Sequence, residues 1–219
     1  MRVRTTDELV DRLAGASAHR KQELITLKES LASGRPHLEK LLRRTAVVMS
    51  YAHWEGFVKE AAIAYVELIS HDPPPLERLT VNFQAVVCRE LLQKASAATK
   101  RIQPHVDVVQ CLFDSCGSKA QITPENAIDT ESNLNADVLR NICLSIGISY
   151  EPYWIEVSHF VDDLVLTRCA IAHGELNEPE HSYAIEVIDF TLLAIDIFKT
   201  DVENAALLKA HLRPIPMSH

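Results

Sequence analysis

Asp163-Leu164-Val165-Leu166-Thr167-Arg168-Cys169-Ala170-Ile171-Ala172-His173-Gly174-Glu175 closes an apolar helical run with an arginine and, five positions later, a histidine. Val157, Val161, Leu164 and Ile171 recur at steps that keep them on one helical face, and Arg168 takes the step between Leu164 and Ile171. A guanidinium inside an apolar stripe is costly to bury without a partner, so Arg168 needs a reason that packing does not supply. Two other pairs, Arg12 with His19 and Arg213 with His219, have similar spacing but lie in polar or terminal sequence. Context therefore singles out Arg168 and His173 as a candidate phosphodiester-cleaving pair.

Length and composition set the frame around this segment. A chain of 219 residues buries one sizeable core and leaves little room for a second domain, so one domain over 1–219 is expected. Hydrophobic residues make up 47% of the chain and only 6 glycines occur, while alternating β-branched patterns are scarce, which favours long helices. No apolar run is long enough to span a bilayer and the N-terminus lacks a signal-peptide pattern, so a cytoplasmic protein is expected. The 5 cysteines are odd in number and lack C-x-x-C spacing, which points to reduced thiols rather than a disulfide framework or a zinc ribbon. A net charge of −8 excludes a protein that coats nucleic acid, because that affinity is driven by cations displacing phosphate counterions. Any nucleic-acid contact must be local, with Lys40, Arg43 and Arg44, or Lys94, Lys100 and Arg101, as candidate patches.

The chain reads as a succession of helices. Thr5 with Glu8 fits a capping box opening a helix to about Leu31, and Ser33-Gly34-Arg35-Pro36 ends it, with Pro36 able to start the next. A second helix over about 36–70 stops before Pro73-Pro74-Pro75. Helical periodicity returns over about 76–103, and a shorter helix follows Pro104. Residues 117–132 are polar and irregular, which predicts a loop. Asn133 or Asn135 can cap a short helix ended by Gly147, and a helix over about 151–173 precedes a last long one over about 182–211. The expected fold is all-α, with an N-terminal helix over 1–34 and a core bundle over 36–211.

The second helix carries a matching irregularity. Val48, Tyr51, Val58, Ala62 and Tyr65 form an apolar stripe into which Glu55 intrudes. One acid and one base within two apolar faces predict that the helices pack together with Glu55 near Arg168, as pairing removes most of the cost of burying either charge. Gly56 would allow close helix approach. Trp54 and Phe57 are read as core or interface aromatics.

With these residues in view, the chain resembles the HEPN superfamily of small all-helical domains, in the bacterial RiboL-PSP-HEPN-like group of toxin and antiphage type. The segment Arg168 to Glu175 matches its R-x4-H motif, and Tyr51-Ala52-His53-Trp54-Glu55-Gly56-Phe57-Val58-Lys59 and Glu131-Ser132-Asn133-Leu134-Asn135 look like segments of the same families. The resemblance covers about 40–210, with the first helix outside it. Many active members carry a polar residue, often Asn, directly after the arginine; here that place is Cys169. The resemblance implies an antiparallel helical bundle that forms a homodimer, with two copies of the arginine and histidine in one cleft. Helix geometry makes that arrangement reasonable, because residues five apart differ by about 140° around a helix and a cleft between protomers relaxes the demand for a shared face.

The implied chemistry is RNA cleavage by attack of the ribose 2′-OH on the adjacent phosphate, without metal or cofactor. Histidine titrates near neutral pH, which suits His173 as general base or acid. Arg168, fork-shaped and always charged, would hold the phosphate and stabilise growing charge. Glu55, His53, Asn133, Asn135 and Glu175 are read as supporting or substrate-binding residues. Expected partners are RNA, a second copy and an antitoxin or defence-system protein, with no membrane contact. A metal hydrolase built on His159 with Asp163, or on His173, Glu175 and His181, lacks any recognised ligand motif. The rival reading is a non-catalytic module that binds a protein or nucleotide partner, with Arg168 purely structural.

Overall fold

The computed structural model describes residues 2–33, 37–98, 100–114, 117–128, 130, 133–175 and 178–214, with only the backbone of Asp114, Glu125 and Asn126. All regular elements among them are helical, and only two isolated bridges of extended backbone occur, Pro75 with Lys119 and Leu79 with Leu212. The chain is an all-α bundle, as its composition predicts. No helix among the described residues is long and apolar enough to cross a membrane.

α1 (Thr6–Ala32) starts where the capping box places it: the Thr5 hydroxyl accepts the Glu8 amide at 3.1 Å and a Glu8 carboxylate oxygen accepts the Arg4 amide at 2.8 Å. Most of the expected terminator, Gly34 to Pro36, lies outside the described residues. α2 (Glu39–His71) is the central element and packs against α1, α9 (Ser158–Ala172) and α10 (His181–Leu207). Its end is the predicted one, before the proline run. Trp54 and Phe57 are fully buried, and Trp54 stacks on Trp154 with ring centres 5.4 Å apart and meets Phe198 edge-on at 6.0 Å. Both aromatics are core residues. Gly56 makes room for a side chain from α1 rather than for α9: a Cβ there would sit 3.4 Å from Arg20 Nη2. Arg20 uses that space to donate to Ala16 O at 2.6 Å and to Glu60 at 3.0 Å, while Arg12 reaches Glu67 at 2.7 Å. Together with buried Leu9, Leu13, Leu24 and Leu31, these contacts make α1 an integral layer of the bundle.

Two helices are broken where the periodicity alone runs on. Residues 76–103 divide into a 3-10 turn (Leu76–Arg78), α3 (Val81–Val87) and α4 (Arg89–Ala97). The C-terminal segment causes the first break. Thr80 N donates to His211 O at 2.9 Å and Arg213 N donates to Arg78 O at 2.8 Å, which holds the intervening backbone extended. α5 (Gln103–Asp114) follows. The helix expected over 151–173 is likewise two elements, α8 (Tyr153–Glu156) and α9, with Val157 between them. The segment expected as a loop contains one helical turn, α6 (Pro124–Ala127), packed against α2. α7 (Ala136–Ser145) begins at Asn135, whose side chain accepts the Val138 amide at 2.9 Å, so Asn135 is the cap and Asn133 is left for another task. Ala136 N donates to Asp162 at 2.8 Å, which ties the start of α7 to α9.

Candidate functional site

Arg168 projects from the middle of α9 toward α2 and is half-buried. Its guanidinium carbon lies 3.9 Å from the centre of the Tyr51 ring, a face-on cation–π contact. Its Nη2 donates to Asn133 Oδ1 at 2.9 Å. The Tyr51 hydroxyl in turn accepts the Leu134 amide at 2.8 Å. Two adjacent residues of the segment before α7 thus grip the two members of the stack: Asn133 holds the arginine and Leu134 holds the tyrosine. Burial, helped by the charge of Glu55, raises the Tyr51 pKa above that of an ordinary tyrosine, against the Leu134 amide and the Arg168 charge, so the ring stays neutral. Cys169, next to the arginine, is within 3.6 Å of the same Asn133 oxygen. A thiol there serves as a weak donor.

His173 stands at the other end of the helix, exposed, as the C-cap of α9. Gly174 takes φ 82°, Gly174 N donates to Ile171 O at 3.1 Å and Glu175 N donates to Ala170 O at 3.0 Å. These two bonds form a Schellman turn, which requires a left-handed residue after the cap and finds it in Gly174. Arg44 of α2 locks the same turn from outside, donating to Glu175 O at 2.9 Å and approaching Ile171 O at 3.5 Å. Glu175 makes its described contacts through its backbone. The histidine backbone is therefore fixed while its side chain is exposed. No hydrogen bond or ion pair joins Arg168 to His173 among the described residues, and helical geometry turns them about 140° apart.

The remaining sequence candidates separate. Glu55 is half-buried one turn from Tyr51, but no ion pair within 4.0 Å joins it to Arg168 among the described residues, so the expected Glu55–Arg168 pair does not form. The Tyr51 ring and Asn133 take that place on the guanidinium instead. His53, two residues from Tyr51 and so about 200° around the helix, faces α1, where its Nε2 lies 3.1 Å from Glu23 Oε2. Burial lowers the His53 pKa, with the Glu23 carboxylate opposing that shift. It stands apart from Arg168. His159 is exposed, Asp163 accepts the Tyr183 hydroxyl at 2.6 Å, and among the described residues no three His, Cys, Asp or Glu side chains converge in a metal-binding group. Tyr51 and Arg44 are the contributors the sequence reading did not assign to the site. A hydroxyl-bearing aromatic in the stripe that must meet a cation was the available signal for the first, and for the second it was the Arg43-Arg44 pair one helix away from a C-terminal turn.

The chain is an all-α bundle with a polar α2–α9 seam and an exposed histidine capping α9. Over residues 16–204 the sequence matches the RiboL-PSP-HEPN family model, and the chain belongs to that family. The match begins inside α1, which corrects the expectation that the first helix lies outside the resemblance; its buried leucines and its arginine contacts to α2 give the physical reason. No curated protein and no solved structure matches the chain.

Proposed function

We propose that this protein is a metal-independent endoribonuclease that works as a homodimer, with Arg168 binding the scissile phosphate and His173 transferring protons. The observation that carries the reading is the placement of His173: its backbone is fixed by two turn bonds and by Arg44, while its ring is exposed. A histidine with a fixed backbone and an exposed side chain is suited to proton transfer. Arg168 supports the same reading. The Tyr51 ring covers one face of its guanidinium and Asn133 fixes one nitrogen, so the cation is held in one orientation beside α2. A second copy related by a two-fold axis would bring an opposing histidine toward each arginine, and Leu166 on α9, 69% exposed, is an apolar side chain such an interface would cover.

In the reaction His173 takes the proton of a ribose 2′-OH, the oxygen attacks the adjacent phosphorus, and the 5′-oxygen leaves with a proton from the acid form of a histidine. Arg168 stabilises charge on the non-bridging oxygens. The products are a 2′,3′-cyclic phosphate and a 5′-hydroxyl end. The test is incubation of purified protein with end-labelled RNA and with the matching DNA in excess EDTA. Cleavage of RNA alone, leaving cyclic phosphate ends, is the expected result. Cleavage that stops with EDTA, or intact RNA at every protein concentration, would overturn the proposal. A toxin or defence role, with a cognate antitoxin or partner protein, belongs to the same reading and predicts growth arrest on expression that depends on His173.

A further inference from the structure

A cavity of about 1240 Å³ opens beyond the Arg168 site, between α2, the end of α3, α4 and the segment around α6. Lys59, Arg89, Lys94 and Lys119 line it, in a chain whose net charge is −8. Arg89 donates to Ala127 O at 3.2 Å and Lys119 is held by Asp72 at 2.6 Å. Lys59 and Lys94 are exposed, and neither forms an ion pair among the described residues. Glu90 also lines the cavity, so among the described residues its lining carries four cations and one carboxylate, with Lys59 and Lys94 exposed.

The cavity is connected to the Arg168 site by the chain itself. Ala120 N donates to Pro74 O at 3.0 Å beyond the C-terminal end of α2, and Leu134 N donates to Tyr51 further back along the same helix. The described residues near these two anchors supply Gln121 and Thr123 to the cavity wall and Asn133 to the arginine. Lys59 and Tyr51 are two turns apart on α2, about 12 Å along its axis at 1.5 Å per residue.

We infer that this cavity binds the phosphates of single-stranded nucleic acid, and that, on the ribonuclease reading above, it holds the stretch of RNA flanking the scissile bond. Its size favours a strand over a single nucleotide, since pockets for small ligands run to about 1,000 Å³. Among the described residues its lining contains no aromatic side chain on which a base could stack, so binding goes through the backbone and carries little sequence preference.

The probe is a short fluorescein-labelled oligodeoxythymidine, which lacks the 2′-OH and reports binding without cleavage. Its anisotropy is followed in EDTA across a salt series. The Lys59→Glu/Lys94→Glu variant is expected to bind at least tenfold more weakly and to show a salt slope flatter by about 1.4, at about 0.7 per phosphate contact for single strands. A control of equal net charge, Arg2→Glu/Arg4→Glu, should bind close to the parent protein. Unchanged thermal melting of the lysine variant confirms its fold, because both lysines are exposed. Equal binding by the lysine variant and the parent overturns the inference, and does so even if His173-dependent RNA cleavage is retained. Displacement of the probe by ATP at equal phosphate concentration also overturns it, in favour of a free-nucleotide site. Lysine-dependent strand binding with no cleavage of RNA would leave the cavity assignment standing and remove the nuclease reading alone.

Discussion

Asn133 and Arg168, 35 positions apart in the chain, are joined by a 2.9 Å hydrogen bond from guanidinium to side-chain carbonyl. The bond turns a cation inside an apolar helix stripe into an oriented group, because Asn133 fixes its edge while Tyr51 covers its face. Loss of the amide should leave the arginine charged but less firmly oriented. For Asn133→Ala we predict a fall in kcat/KM for RNA of at least tenfold with a larger effect on kcat than on KM, whereas a purely structural role would change the melting temperature and leave activity per folded molecule unchanged. Asn133→Asp, which keeps the acceptor, should recover much of the loss.

Tyr51 separates two contributions. Tyr51→Phe keeps the ring beneath Arg168 but leaves the buried Leu134 amide without its acceptor, at a cost of about 1–3 kcal/mol in denaturant unfolding. Tyr51→Leu removes the ring as well and should cost a further 0.5–1 kcal/mol or about that, the range of a partly exposed cation–π contact. Identical stabilities for the two variants would show that the ring contact contributes nothing.

Glu55 gives a prediction opposite to that of a buried ion pair. Because it is half-buried and not paired with Arg168, Glu55→Ala should shift unfolding by less than about 1 kcal/mol, the range of exposed charges, rather than by the several kcal/mol of a broken buried pair. The same substitution removes a negative charge near Tyr51, so the phenol should titrate at lower pH in ultraviolet difference spectra.

The contrast between Glu55 and Asn133 marks how far the sequence is legible. Arg168 in the stripe, the Thr5 cap and the proline stop of α2 follow from local chemistry, and each is where the periodicity puts it. The choice of partner for Arg168 does not, because it is made by a third segment that has no helical period and whose path is set by Leu134 binding Tyr51. The breaks at Thr80 and Val157 are hidden for the same kind of reason. Residues 76–103 stay periodic, and the break before α3 is made by the distant C-terminal segment, bonding Thr80 and Arg78.

His211 gives the protein a pH dependence of predictable sign. It lies between Tyr65 and Phe83, with ring centres 6.2 and 6.1 Å away, and its Nδ1 is 3.4 Å from the Tyr65 hydroxyl. Burial, with a smaller effect of Lys209, lowers its pKa below the ordinary 6.5. As pH falls through that value the unfolded chain takes up a proton that the folded chain still refuses, so stability is complete above it and declines below it. His53, also lowered, acts in the same direction. Urea unfolding between pH 7.5 and 5.5 should show a decline that is smaller in His211→Gln; equal slopes would exclude His211 as a contributor.

Arg44 is predicted to be a positioning residue. Its bonds to the carbonyls of Glu175 and Ile171 hold the turn on which His173 stands, and it touches no reacting atom. Arg44→Ala should cost about 1 kcal/mol of stability yet lower kcat well beyond that, with KM nearly constant. Arg44→Lys, which can reach one carbonyl but not two, should recover part of the rate. A rise in KM at constant kcat would instead make Arg44 a substrate contact.

His173 carries the functional claim. His173→Ala should abolish RNA cleavage and any growth arrest while leaving melting nearly unchanged, since the side chain is exposed. Arg168→Lys should fail as well: a lysine keeps the charge but loses the fork that matches a phosphate, and with it the planar contact on Tyr51. If each cleft takes groups from two chains, co-expressing the two inactive variants gives mixed dimers in which one cleft receives an intact arginine from one protomer and an intact histidine from the other. Partial recovery of cleavage in that mixture, absent when either variant is alone, is the expected outcome. Full activity of His173→Ala in EDTA would place the chemistry elsewhere, and mixed dimers without activity would confine arginine and histidine to a single chain.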